Sequence, residues 1–158
     1  MRLYHGTYTD FDVIDLSKSN KGKDFGKGFY LSDNYEQAYK LAMFKALQFK
    51  AAPVVLPYQF EEDLLMDGTL SFLRFDTYSK EWAEFILKNR TNDQDINVHS
   101  YDVVYGPIAN DKVGIQVRNL LEHNINMEVF LERLKYMHGV TFQYFFGTEK
   151  AISKLVRI

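Results

Sequence analysis

The chain has 158 residues, 46% of them hydrophobic and 25% charged, with 19 basic against 21 acidic side chains and a net charge of -2. That is the make-up of one globular domain spanning residues 1–158, and it excludes a disordered tail, a low-complexity linker and a field basic enough to hold nucleic acid non-specifically. Cysteine is absent, which excludes a disulfide framework, a Cys-ligated metal and a thiol nucleophile.

Arg2 to His5 reads as a short strand closed by Gly6-Thr7. Residues 17–28 form a polar loop rich in Gly and Lys, and Phe29-Tyr30-Leu31 a second strand. From Asn34 to about Phe49, Ala38, Leu41, Ala42 and Phe49 recur near a helical period. Pro53 to Phe60 suits a strand, which Pro57 places at a sheet edge. Leu70 to Phe75 follows the Asp67-Gly68 turn as another strand, and Ser79 to Arg90 suits a helix burying Trp82, Phe85 and Ile86.

Asp102 to Tyr105 is strand-like and is expected to stop at Gly106-Pro107. Helices are expected at 111–122, with Asp111 favoured as its cap, and at 127–138, capped by Asn126 and ended at Gly139. Thr141 to Phe146 alternates as a strand, Thr148 caps a single turn, and a last strand covers 155–158. The expectation is an α+β domain of about six short strands and four helices. The 11 Tyr, 13 Phe and single Trp are its expected core filling. No apolar run approaches the length of a membrane span and no signal peptide is evident, so the expected setting is cytoplasmic; a toxin exported without a cleaved signal would look the same.

Three segments place a polar group on a strand beside glycine or aromatic residues. In Leu3-Tyr4-His5-Gly6-Thr7, alternation sets Leu3 and His5 on one face, and Gly6 permits close approach to the backbone. In Phe25-Gly26-Lys27-Gly28-Phe29-Tyr30-Leu31-Ser32, the residues Gly28, Tyr30 and Ser32 share a face with room for a flat ring, while Phe29 and Leu31 face a core. In Thr141 to Phe146, Phe142, Tyr144 and Phe146 form an apolar face and Gln143 looks the other way, able to bond a sugar hydroxyl as donor and acceptor. Taken singly, each has a structural reading: a strand-end histidine on a carbonyl, a core tyrosine with a satisfied hydroxyl, an exposed glutamine.

Together and in this order, Tyr-His-Gly-Thr, Phe-Gly-Lys-Gly-Phe-Tyr-Leu-Ser and the late Gln-Tyr-Phe-Phe resemble the signature strands of ADP-ribosyltransferases, in the diphtheria-toxin and poly(ADP-ribose) polymerase branch with its His-Tyr-Glu triad. The stretches Asp102 to Asp111 and Thr148 to Ala151 are similar to a small, uncharacterised bacterial family of that superfamily, so the resemblance spans nearly the whole chain. It implies a split two-sheet β-core with flanking helices and a mono-ADP-ribosyltransferase that takes NAD as cosubstrate and releases nicotinamide. It implies His5, Tyr30 and Gln143 as the catalytic positions and His5, Gly6, Thr7, Gly28, Tyr30 and Ser32 as the NAD-binding ones. His5 would bond the adenosine-side ribose, Gly6 the nicotinamide carboxamide, and Tyr30 the ring; Gln143 stands where the branch carries glutamate.

That neutral Gln143, with Phe145 two positions on, argues against chain elongation and against arginine as acceptor. Glu149 falls outside the strand and reads as the start of a helix. Lys18, Lys21, Lys23 and Lys27 form a basic loop, read as solvated, that would otherwise meet the diphosphate or an anionic acceptor. His99, His123 and His138 share no metal-ligand spacing, so no metal is expected. The acceptor, protein or nucleic acid, is left open, and so is an antitoxin-like partner, of the kind that neutralises many small bacterial transferases. The rival readings are an inactive NAD-binding module and an NAD glycohydrolase; an RNA 2′-phosphotransferase lacks a matching Arg and His set here.

Overall fold

The computed structural model describes residues 1–158. Seven strands and five α-helices follow one another: β1 (Arg2–Thr7), β2 (Phe29–Leu31), α1 (Tyr35–Phe49), β3 (Val54–Gln59), β4 (Phe72–Arg74), α2 (Lys80–Arg90), β5 (Val103–Ile108), α3 (Asp111–Leu121), α4 (Met127–Leu134), β6 (Thr141–Phe146), α5 (Glu149–Ile152) and β7 (Val156–Arg157). This is an α+β fold with two sheets. One is antiparallel, in the order β1-β3-β7; the other runs β2-β6-β5-β4 and is mixed, because β4 pairs parallel to β5. No helix is long and apolar enough to cross a membrane.

Alternation along the strands divides the core. Leu3, Leu56 and Tyr58 of the first sheet meet Phe29, Leu31, Val103, Tyr144 and Phe146 of the second. The in-between residues Val104 and Phe145 point to the opposite face of the second sheet, where Trp82, Ile86, Val113, Val117 and Phe130 from α2, α3 and α4 cover them. A four-stranded sheet buried on both faces explains why its strands read as nearly continuous aromatic and β-branched runs. Helix α1 covers the first sheet through Ala38, Ala42 and Ala46. The sheets are stitched at one point, where Tyr4 and Ser32 exchange backbone bonds of 2.7 and 2.9 Å.

The helix caps follow the side-chain chemistry. Asn34, Ser79, Asn126 and Thr148 each accept a first-turn N–H. Before α3 that role falls to Asn110, not to Asp111, which is the first helical residue. Helix α4 ends at Leu134, short of 138, because the next bonds tighten: Tyr136 N–H goes to Arg133 and Met137 N–H to Leu134. Phe49 does not join the buried face of α1; it is exposed and stacks on Tyr8 at 4.2 Å. Phe85 of α2 is half-buried.

Two prolines were misleading about pairing. Strand β3 is central, not an edge, with β1 on one side and β7 on the other. Tyr4, opposite Pro57, turns its N–H and C=O away from β3 toward Ser32, so the pair needs no bond from Pro57 nitrogen. On the β7 side Pro57 uses only its C=O, which accepts from the Ile158 N–H at 3.2 Å. Strand β5 likewise runs through Gly106-Pro107 to Ile108. Tyr105 offers its C=O to Phe75 on the β4 side, so by alternation Pro107 nitrogen also faces away from β6, beyond the end of β4, where no donor is needed.

Candidate functional site

Strand β1 extends through Gly6 and Thr7, past the stitch with Ser32. Since Tyr4 turns its backbone groups to Ser32, alternation turns those of Gly6 to the same side, where no strand pairs with them and the Lys45 ammonium meets the C=O. A cleft of about 410 Å³ opens beside this stretch of β1, lined by His5, Gly22, Lys23, Asp24, Gly28, Tyr30, Leu41, Lys45, Arg90, Ile108 and Gln143. His5 comes from β1, Tyr30 from β2 and Gln143 from β6, so three strands deliver the three residues singled out by sequence to one place.

His5 stacks on Phe29 at 4.2 Å, and its Nδ1 lies 2.7 Å from the Tyr30 carbonyl oxygen. A carbonyl only accepts, so Nδ1 carries the proton. Burial, with the nearby Lys45 and Lys23 charges, pushes the imidazole down to about 3, against the opposing effect of that hydrogen bond. His5 is therefore neutral, and its Nε2 is an acceptor. The carbonyl bond is the one a purely structural histidine would make, and the same ring also lines the cleft.

The Tyr30 hydroxyl is sunk in the fold, although the residue lines the cleft. The hydroxyl donates to Gly26 C=O at 2.8 Å and accepts the Phe25 N–H at 3.1 Å. Burial raises its pKa well above the ordinary range, so it stays protonated. Its ring meets Phe145 edge-on at 5.4 Å and carries the Lys23 ammonium 5.0 Å from its centroid. Gln143 is half-buried at the cleft wall, paired on β6 with Gly106 of β5.

The glycines serve packing. A Cβ on Gly6 would stand 2.0 Å from Ala38 oxygen, so Gly6 is what lets α1 lie on β1. A Cβ on Gly28 would stand 2.2 Å from the Phe145 ring, which fills the room expected there for a ligand. Gly28 lines the cleft, whereas Gly6, Thr7 and Ser32 do not; Gly6 is buried beneath α1. Thr7 is buried with Oγ1 toward Thr9 N–H, and Ser32 is buried with Oγ accepting the Asn34 N–H at 3.0 Å. Glu149 is exposed at the start of α5, away from the cleft.

Of the four loop lysines only Lys23 lines the cleft; Lys21 and Lys27 approach Asp95, and Lys18 is exposed. The loop is fastened rather than merely solvated. Ser19 Oγ accepts Gly28 N–H at 2.9 Å, Asn97 grips Lys27 through 2.7 and 2.8 Å bonds, and His99 Nε2 donates to Phe25 C=O at 2.7 Å.

Two further cations reach the cleft from α1 and α2. Lys45 of α1 donates to the Gly6 C=O at 2.7 Å, and burial, with the Lys23 charge, lowers it to about 8. Arg90 at the end of α2 bonds Asp24 at 2.5 Å. Asp24 also accepts the Ala109 N–H at 2.7 Å, so the one carboxylate lining the cleft is already engaged. The sequence did carry a signal: Lys45 continues the Ala38, Leu41, Ala42 stripe and Arg90 the Trp82, Ile86 stripe, where a charge is out of place unless it reaches a site. No group of three or more His, Cys, Asp or Glu side chains gathers in a metal-holding arrangement.

A family model described as "Protein of unknown function (DUF3990)" matches residues 1–156, and the chain belongs to that family. No curated protein matches it.

Proposed function

We propose that this protein is an ADP-ribosyltransferase-like enzyme that takes NAD as cosubstrate, releases nicotinamide and passes a single ADP-ribose to a macromolecular acceptor. The observation that carries the reading is the meeting of His5, Tyr30 and Gln143, from three separate strands, in one cleft with Lys23, Lys45 and Arg90. The two-sheet architecture fits the split β-core that such an enzyme needs.

The residues present suit the parts of NAD. Lys23, Lys45 and Arg90 against the single carboxylate of Asp24 leave the cleft electropositive, which suits a diphosphate without requiring either lysine to leave its place. Neutral His5 offers Nε2 to a ribose hydroxyl. The strand edge at Gly6 offers one N–H and, once Lys45 moves, one C=O, the pair that a carboxamide matches. Tyr30 offers a ring to the cationic pyridinium, an attraction worth about 0.5–2 kcal/mol. Gln143 bonds and orients the hydroxyls of the ribose whose C1′ is attacked. Nicotinamide then leaves with the bonding pair while the acceptor's nucleophile bonds C1′ and gives up its proton to water. A neutral amide supplies orientation without charge stabilisation, which suits one transfer rather than chain growth.

One observation favours the rival reading of an NAD-binding module that transfers nothing: Asp24, the only carboxylate at the cleft, is held by Arg90 and Ala109 and is not free to face a developing cation. Incubation with labelled NAD and total lysate separates the two. Transfer puts label on a macromolecule, and protease or nuclease treatment then tells a protein acceptor from a nucleic acid. Binding without transfer labels nothing.

A further inference from the structure

Two of the cleft's cations sit on the groups that would receive nicotinamide. The Lys23 ammonium lies 5.0 Å from the centroid of the Tyr30 ring, where a pyridinium would stack. The Lys45 ammonium donates to the Gly6 carbonyl at 2.7 Å, where a carboxamide would donate. Neither arrangement is incidental to the local charge. Both lysines are half-buried, and burial is the main cause of the lowered pKa of each. The one carboxylate lining the cleft, Asp24, is spent on Arg90 and the Ala109 N–H. The cleft therefore holds an excess of positive charge that an anion would relieve and a cationic ring would worsen.

The ligands differ in just this respect. NAD carries a doubly negative diphosphate and one positive pyridinium; ADP-ribose carries the same diphosphate and no cation. Seating NAD requires Lys23 to leave Tyr30 and Lys45 to leave Gly6, whereas ADP-ribose requires neither. We infer that Lys23 and Lys45 stand in for the nicotinamide, so that the cleft holds ADP-ribose more tightly than NAD, with Lys23 setting the preference. The inference rests on the reading of the cleft as an NAD site. It makes the cleft self-closing: when nicotinamide departs, Lys23 returns to the ring face, and rebinding of nicotinamide is opposed.

Lys23 can be changed without disturbing the loop, since besides lying over the Tyr30 ring its ammonium makes a single long hydrogen bond, 3.4 Å to Ser19 Oγ, and the loop is fastened elsewhere. Calorimetric titration of the wild type, Lys23→Gln and Lys23→Arg with ADP-ribose and with NAD tests the inference. The wild type binds ADP-ribose more tightly. Lys23→Gln tightens NAD and loosens ADP-ribose, each by about threefold to tenfold, the scale of one cation–π contact. Lys23→Arg keeps the wild-type order. Movement of both affinities in the same direction in Lys23→Gln, or NAD bound by the wild type as tightly as ADP-ribose, overturns the inference while leaving the NAD reading in place. Absence of binding by both ligands removes that reading and the inference together.

Discussion

The neutrality of His5 can be tested through stability. Unfolded, its imidazole titrates near 6.5; folded, burial beside Lys45 and Lys23 brings it to about 3. Between those values the unfolded chain binds a proton that the folded chain refuses, so stability falls as the pH falls across that window. At pH 5 the unfolded imidazole is about 1.5 units below its midpoint, and at about 1.4 kcal/mol per unit the loss relative to pH 8 is about 2 kcal/mol. That is a large share of the roughly 5–15 kcal/mol that holds a domain folded. His99, also lowered by burial, adds to the same slope, so the comparison must isolate His5. His5→Asn keeps a donor for the Tyr30 carbonyl and removes the titration. Urea denaturation at the two pH values should show the variant losing about 2 kcal/mol less than the wild type on acidification. Equal losses in the two proteins, or an imidazole titrating at or above 6.5 by NMR, would refute the neutral acceptor at Nε2.

Tyr30→Phe should lower stability by about 1–3 kcal/mol by chemical denaturation, because Phe25 N–H and Gly26 C=O lose their partner, while NAD affinity stays close to wild type. Tyr30→Ala should lose both, and equal NAD affinities in the two variants would count against stacking. Gly6→Ala should destabilise the fold by at least about 1–3 kcal/mol, because the added methyl meets helix backbone that cannot swing aside; a change within about 0.5 kcal/mol would mean that α1 yields. Gln143→Glu should raise single-turnover nicotinamide release more than NAD affinity, since a carboxylate helps most once positive charge develops. An unchanged or lower rate with normal binding would make the amide itself the required group.

Much of the fold was legible where the signal is local. The polar residues at 34, 79, 126 and 148 mark helix starts, and alternation in Thr141 to Phe146 sorted Tyr144 and Phe146 from Gln143 correctly. What failed was pairing. Pro57 and Pro107 look like breakers until one knows which side of each strand lacks a partner, and that depends on where β7 and β4 happen to end. The site divides the same way. His5, Tyr30 and Gln143 were visible because each lies on a short strand with a telling neighbour, but Lys45 and Arg90 reach the cleft only through the packing of α1 and α2. The missing Cβ of Gly6 and of Gly28 makes way for α1 and for the Phe145 ring, a packing role that only the assembled fold reveals, while Gly28 also lines the cleft.

The most direct test of the central claim is the amount of nicotinamide released from NAD by the purified protein, with Tyr30→Ala and His5→Asn alongside. The account predicts release by the wild type above the buffer control, near-complete loss in Tyr30→Ala and a marked reduction in His5→Asn, whose shorter side chain keeps the carbonyl bond but loses Nε2. Release at the buffer rate by all three proteins, with an acceptor-bearing lysate present, would contradict it.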